Sequence, residues 1–247
     1  MIKQYGLIGY PLSHSFSKKY FANKFKKENI TGCQYELIEI DRIELVKQVF
    51  EVEHIQGFNV TIPYKHDIMQ YMDNFDHSAK KVGAVNVVKI GQNGEKTGYN
   101  SDYYGFRTSL ENWLPNPVDF KAMILGIGGA AKAVMAVLND LSIPYLKISR
   151  DSTKGDHSYD ELKTHPELLD EHRLIINTTP LGMAPNTDVK PDISYDLLNE
   201  NYYLYDLIYN PSETKFMAEG KKYGAQTKNG LEMLELQAEK SWEIWNS

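Results

Sequence analysis

The sequence predicts an α/β protein built as two units, and three observations carry that prediction. Extended and helical patterns alternate along the first hundred positions and again after position 120, an order that builds parallel sheets covered by helices. A glycine-rich turn, "GIGGAA" (126–131), joins an apolar run to an alanine-rich helical pattern at the start of the second alternation. An amphipathic stretch at 229–245 follows the last strand pattern and must dock its apolar face on one of the units.

In chain order, "YGLIGY" (5–10) reads as a strand that ends at Pro11, which has no backbone donor. Ser15 or Ser17 caps the next helix, whose Tyr20, Phe21 and Phe25 fall at helical spacing. "CQYELIEI" (33–40) alternates as a strand, and a helix spans about 43–51. "GFNVTI" (57–62) is a strand stopped by Pro63, with a helix expected over 64–72. "AVNVVKI" and the segment through "TGYN" form a hairpin closed by Asn93-Gly94, a pair favoured in tight reversals. A helix over 103–114 is stopped by Pro115 and Pro117.

The second alternation begins with "FKAMILGIGGAAKAVMAVLNDL" (120–141), a strand, a turn and a helix. "PYLKISR" (144–150), "RLIINTTP" (173–180) and "NYYLYDLIY" (201–209) are further strands. The final pattern places Leu231, Leu234, Ala238, Trp242 and Trp245 on one helical face. The boundaries expected are 1–102, with 229–247 returning to it, and 103–228.

Composition narrows the function. A formal net charge of −6 with no basic block argues against a nucleic-acid binder. Cys33 is the single cysteine, which fits a reducing cytoplasm, and the seven histidines lack metal-ligand spacing. No apolar run has the length of a membrane span, and Gly and Pro break the opening "MIKQYGLIGYP" too early for a signal peptide. The expectation is a soluble, cytoplasmic protein acting on a small molecule, without metal or membrane. Its oligomeric state, monomer or homodimer, is left open.

The glycine-rich turn stands where a dinucleotide fingerprint must stand, after a strand and opening a helix. Gly126 permits the tight turn, and Gly128 lets the backbone approach a pyrophosphate. Gly129 and Ala130 open the helix whose free amides form the anion site, and Ala131 allows close strand–helix packing. The following strand ends in Ser149-Arg150-Asp151, where the adenosine ribose is read. An Arg there pairs with a 2′-phosphate and favours NADP, whereas the adjacent Asp151 argues for NAD.

Taken alone, Lys65 in "NVTIPYK" is a surface lysine past a strand end. Its setting changes when eight stretches are set in order: "GYPLSHSFS" (9–17), "NVTIPYK" (59–65), "GAVN" (83–86), "NSD" with Gly105, "GIGGAA" (126–131), "NTTPLGM" (177–183), "YDLIY" (205–209) and "NGLEMLELQA" (229–238). Together they resemble the shikimate dehydrogenase family over essentially the whole chain. The resemblance implies an N-terminal α/β substrate domain, a Rossmann-like NADP-binding domain, and a last helix returning to the substrate domain. It also implies the reversible NADPH-linked reduction of 3-dehydroshikimate to shikimate.

Carried over position by position, the resemblance makes Lys65 the catalytic lysine and Asp102 its partner carboxylate. Hydride delivery to a ketone leaves negative charge growing on oxygen, and an ammonium in reach stabilises that charge or supplies the proton. Ser15 and Ser17 match the serines that hold the substrate carboxylate; Thr61 and Asn86 match contacts to ring hydroxyls. Tyr209 and Gln237 match further substrate-side residues. Thr178 matches the cofactor-domain loop, and Gly230 the turn where backbone lies close to the nicotinamide. The chain departs from the family at Ser101, which replaces a Thr. It departs again at Ser149-Arg150-Asp151 with Lys154, where Asn-Arg-Thr and a second Arg are common. Two other readings compete: a relative that uses quinate or NAD, favoured by Asp151, and a non-catalytic NADP-sensing protein. A sensor has no need of both Lys65 and Asp102.

Overall fold

The computed structural model describes residues 2–12, 15–115 and 119–247, so His14 and the expected helix stop Pro117 lie outside the described residues. Two compact units form, Met1–Tyr104 with Leu236–Ser247, and Gly105–Glu235.

The first unit contains β1 (Lys3–Gly9), α1 (Phe16–Lys27), β2 (Cys33–Glu39), α2 (Val46–Phe50), β3 (Ile55–Val60), β4 (Asn74–Phe75), α3 (His77–Val82), β5 (Val87–Ile90), β6 (Lys96–Tyr99) and the start of α4 (Ser101–Glu111). Among the described residues its six-stranded sheet has the order β2-β1-β3-β5-β6-β4. β1 is parallel to both neighbours, while β5 runs antiparallel to β3 and β6. Central β1 is buried from Tyr5 to Gly9, the continuous apolar run of a strand covered on both faces. The β5–β6 reversal contains the expected Asn93-Gly94 pair but runs over Gly91–Glu95: the Gly94 amide donates to the Gly91 carbonyl at 2.9 Å, and Gly94 takes φ +78.

Aromatic packing anchors the helices to this sheet. Phe21 of α1 stacks on Tyr35 of β2 with ring centroids 4.4 Å apart. Trp245, from the terminal helix, lies over β3 and β5 and donates its Nε1–H to the Val88 carbonyl at 3.0 Å. A β-carbon at Gly57 would collide with that indole and with the Val88 carbonyl, so the strand needs glycine there.

Two local differences from expectation have clear causes. The helix expected over 64–72 is a turn followed by a 3-10 segment, Asp67–Tyr71. The Lys65 carbonyl, which a regular helix would bond internally, instead accepts the Val85 amide at 2.7 Å. Helix α4 begins at Ser101, two residues early, which places Asp102 in its first turn, a favourable position for an acid.

The second unit carries β7 (Ala122–Leu125), α5 (Gly129–Asp140), β8 (Tyr145–Ser149), β9 (His157–Ser158), α6 (Tyr159–Thr164), α7 (Glu167–Glu171), β10 (Leu174–Asn177), β11 (Tyr203–Asp206), α8 (Lys215–Lys222) and β12 (Gln226–Lys228). The first residues of α9 (Leu231–Asn246) belong to it as well. The sheet order is β12-β11-β10-β7-β8-β9, with every pair parallel. The chain builds outward from β7 to β8 and β9, then crosses to β10 on the other side. That reversal makes the carboxyl ends of β7 and β10 a topological switch point, where open parallel sheets form a crevice. β7 and β10 are wholly buried, as their apolar sequences require.

α9 buries Ala238, Ile244 and Trp245, but Leu231 at its start is 39% exposed, so the apolar face expected from the sequence begins later in the helix. Among the described residues no helix is long and apolar enough to cross a membrane.

Candidate active site

In the first unit the loops past β1, β3 and β6 bring polar side chains together with residues of α9. Val60 ends β3, yet the Thr61 amide still donates to the Ile8 carbonyl at 2.9 Å, so Thr61 is held against the end of β1. A β-carbon at Gly9 would strike the Thr61 methyl, and glycine permits this approach. Past Pro63, Lys65 donates from Nζ to Asp102 Oδ2 at 2.6 Å. The Lys65 and Asp102 side chains keep 30% and 19% of their surface exposed.

Next to that pair lies a buried polar chain. Asn86 Oδ1 accepts the Ser101 amide at 2.6 Å, and Asn86 Nδ2 donates to Ser101 Oγ at 3.1 Å. Ser101 Oγ donates to Gln237 Oε1 and lies 3.2 Å from Ser241 Oγ. Asn59 Nδ2 donates to Ser241 Oγ at 2.9 Å, and Tyr35 donates to Asn59 Oδ1 at 2.8 Å. A hydrogen bond joins Tyr35 to Ser17, and burial drives the Tyr35 hydroxyl far above its usual range. Ser15 occupies the N-cap position of α1 without a side-chain cap bond. Its buried hydroxyl has no partner among the described residues.

In the second unit, a cavity of about 570 Å³ opens at the switch point. Gly126, Gly128, Arg150, Lys154, Thr178 and Thr179 are among its lining residues. Gly126 has φ +91, and a β-carbon there would meet the Thr179 methyl at 2.5 Å, so both conformation and space demand glycine. Gly128 and Gly129 face open space, where added β-carbons would meet nothing within 4 Å. The backbone at the start of α5 is thus bare on its cavity side. Thr178 ties this loop to the sheet, donating from Oγ1 to the Gly126 carbonyl at 2.9 Å.

A buried carboxylate supports the same loop. Asp206 accepts from Asn177 Nδ2 at 3.0 Å, the Ile208 amide at 3.1 Å and Thr214 Oγ1 at 2.5 Å. Asn177 Oδ1 in turn accepts the Thr179 amide and hydroxyl. Burial raises the Asp206 carboxyl to about 6, against the pull of its three donors.

The structure therefore joins Lys65 with Asp102, and links Asn86, Gln237 and Ser17 through one hydrogen-bonded chain. It places Gly126, Gly128, Arg150 and Thr178 around one cavity, with Gly129 and Ala130 starting the helix behind it. Tyr209 and Gly230 are not among that cavity's lining residues. The Gly230 amide donates to the carbonyl of Ile208, the residue before Tyr209, at 3.0 Å, and a β-carbon at Gly230 would overlap the Leu207 carbonyl. Burial raises the Tyr209 hydroxyl.

Tyr35, Asn59, Ser241, Asn177 and Asp206 were not singled out from sequence. An asparagine ending an apolar strand, a serine on the apolar face of α9, and an aspartate closing "YLYD" were the available signals.

These features define a two-unit α/β protein whose second unit is Rossmann-like. The model of the shikimate dehydrogenase substrate binding domain matches residues 7–88. A shikimate dehydrogenase (NADP(+)) of Clostridium beijerinckii is 43% identical over 98% of this chain and 91% of its own length. The crystal structure of a shikimate dehydrogenase in complex with NADP+ is 35% identical, with a TM-score of 0.83, covering 99% of this chain and 90% of that one. Shikimate 5-dehydrogenase from Listeria monocytogenes, in complex with shikimate and NAD, is 28% identical with a TM-score of 0.88, covering 99% and 92%. The chain belongs to the shikimate dehydrogenase family.

Proposed function

We propose that this chain catalyses the reversible, NADPH-dependent reduction of 3-dehydroshikimate to shikimate. The observation that carries the reading is the 2.6 Å contact between Lys65 Nζ and Asp102 Oδ2, set beside the buried chain through Asn86, Ser101 and Gln237. In this reading the first unit, with the C-terminal part of α9, holds the substrate, and the second holds the dinucleotide.

The bare backbone of Gly128 and Gly129, with free amides at the start of α5 and Arg150 on the rim, fits a dinucleotide's pyrophosphate and adenosine end. The reduced dinucleotide, when bound, supplies the hydride. Lys65 directs its ammonium at the ketone oxygen, stabilises the charge that grows there and delivers the proton. Asp102 holds Lys65 in place and accepts a hydrogen bond from a substrate hydroxyl. Ser15 and Ser17 donate to the substrate carboxylate, while Thr61, Asn86 and Gln237 bind ring hydroxyls. Tyr209 completes the substrate contacts, and Gly230 gives the nicotinamide access to backbone. An acidic chain with a single cysteine acting on small anions fits a cytoplasmic enzyme with no nucleic-acid partner.

The test is to mix purified protein with 3-dehydroshikimate and either NADPH or NADH and follow the loss of reduced-cofactor absorbance. Turnover favouring NADPH is expected. No turnover with either cofactor would sink the reading, and higher efficiency with NADH would overturn the cofactor assignment.

A further inference from the structure

Asp151 follows β8 at the place where an acid would read free ribose hydroxyls. Its carboxylate is already committed. Oδ1 accepts the Thr153 amide at 3.1 Å and the Thr153 hydroxyl at 2.6 Å, and Oδ2 lies 3.1 Å from Lys154 Nζ. The Asp151 carbonyl accepts the Lys154 amide at 3.0 Å, closing a local turn. These donors hold the carboxyl below its usual range, so it is ionised at neutral pH.

Arg150, Asp151 and Lys154 all line the cavity of the second unit, two cations and one anion. A ribose hydroxyl reaching Asp151 would have to share Oδ2 with Lys154, since Oδ1 already accepts twice from Thr153. A 2′-phosphate arriving at Arg150 would meet the negative charge of Asp151 and compete with it for Lys154.

We propose that Asp151 narrows this chain's discrimination between NADP and NAD, by occupying Lys154 and opposing a 2′-phosphate at the Arg150 rim. This rests on the reading of the second unit as the dinucleotide site. Asp151 is then a stand-in anion, which keeps Lys154 neutralised when no 2′-phosphate is present.

Asp151→Asn isolates the charge, because its amide oxygen still accepts the Thr153 amide and keeps the turn. Asp151→Ser is a second variant that keeps a turn-forming acceptor with a shorter side chain. Binding of NADP+, NAD+, 2′-AMP and 5′-AMP is measured by calorimetry at low and high salt. Both variants are expected to bind NADP+ and 2′-AMP about two- to fivefold more tightly than the parent, the factor an exposed charge pair carries. NAD+ and 5′-AMP are expected to bind unchanged, and the gain shrinks as salt rises. If the parent binds NADP+ but neither variant gains, or NAD+ gains equally, the role of Asp151 is overturned and the dinucleotide reading stands. If the parent binds neither dinucleotide, both fall.

Discussion

Replacing Asp206 with asparagine tests what a buried carboxylate costs this fold. The side chain is fully buried at the end of β11, and hydrogen bonds from Asn177, Ile208 and Thr214 offset its burial. Burial raises its carboxyl from 3.8 to about 6. Because the folded value lies above the unfolded one, the folded protein binds the extra proton at low pH. That stabilisation is complete below the unfolded value and is lost as pH rises through about 6.

The shift from 3.8 to about 6 is 6 − 3.8 = 2.2 units, about 3 kcal/mol at most, at roughly 1.36 kcal/mol per unit. About 1.4 kcal/mol of it falls between about pH 5 and about pH 8. The Asp206→Asn side chain does not titrate, and it can keep the local bonds: its oxygen accepts from Asn177 and Ile208, and its amide donates to Thr214 Oγ1. Every other titrating group is common to both proteins and cancels in the difference. Urea unfolding followed by tryptophan fluorescence, with matched m-values, gives the stability difference at each pH. The variant is expected to gain on the parent by about 1.4 kcal/mol across that interval. A difference that stays flat with pH would refute the reasoning.

Lys65→Ala is expected to lower kcat by about a hundredfold or more with a smaller change in KM, because its contact strengthens in the transition state; steady-state kinetics with 3-dehydroshikimate check this, and an effect confined to KM would reduce Lys65 to a binding residue. For Ser15→Ala the pattern should reverse, a higher KM with kcat nearly kept; an unchanged KM would count against the carboxylate role. Tyr35→Phe removes the donor to Asn59 Oδ1 and the partner of Ser17. It is expected to lower stability by about 1–3 kcal/mol, the cost of a buried unsatisfied group, as read from urea melts.

Much of this architecture was legible because local signals agreed. Apolar runs of four or five residues between turn-formers gave β7, β10 and β11, and "GIGGAA" gave the β7–α5 turn. Asn93-Gly94 closed its hairpin because local chemistry alone decides such a turn. Motif order singled out Lys65 and Asp102, whose side chains meet. Other features depend on distant partners. Asn59 sits inside a quoted motif, yet its bonds go to Tyr35, 24 positions earlier, and Ser241, 182 positions later. The 64–72 stretch has helical spacing, but the Val85 amide captures the carbonyl a helix needs. Asp151 reads from sequence as a ribose acceptor, and only the geometry of Thr153 and Lys154 shows both its oxygens engaged.

The division of α9 has a consequence for biosynthesis. Positions 236–247 belong with the first unit, although more than a hundred positions separate them from Tyr104. Until translation reaches them, Val88 lacks the indole donor, Asn59 lacks the Ser241 hydroxyl, and the hollow over Gly57 is bare. The nascent N-terminal sheet therefore emerges with its core open, while the strands of the second unit are already complete in sequence. The part of the molecule made first is the last able to finish folding, and its exposed aromatic surface during that interval is the span in which a chaperone would have most to hold.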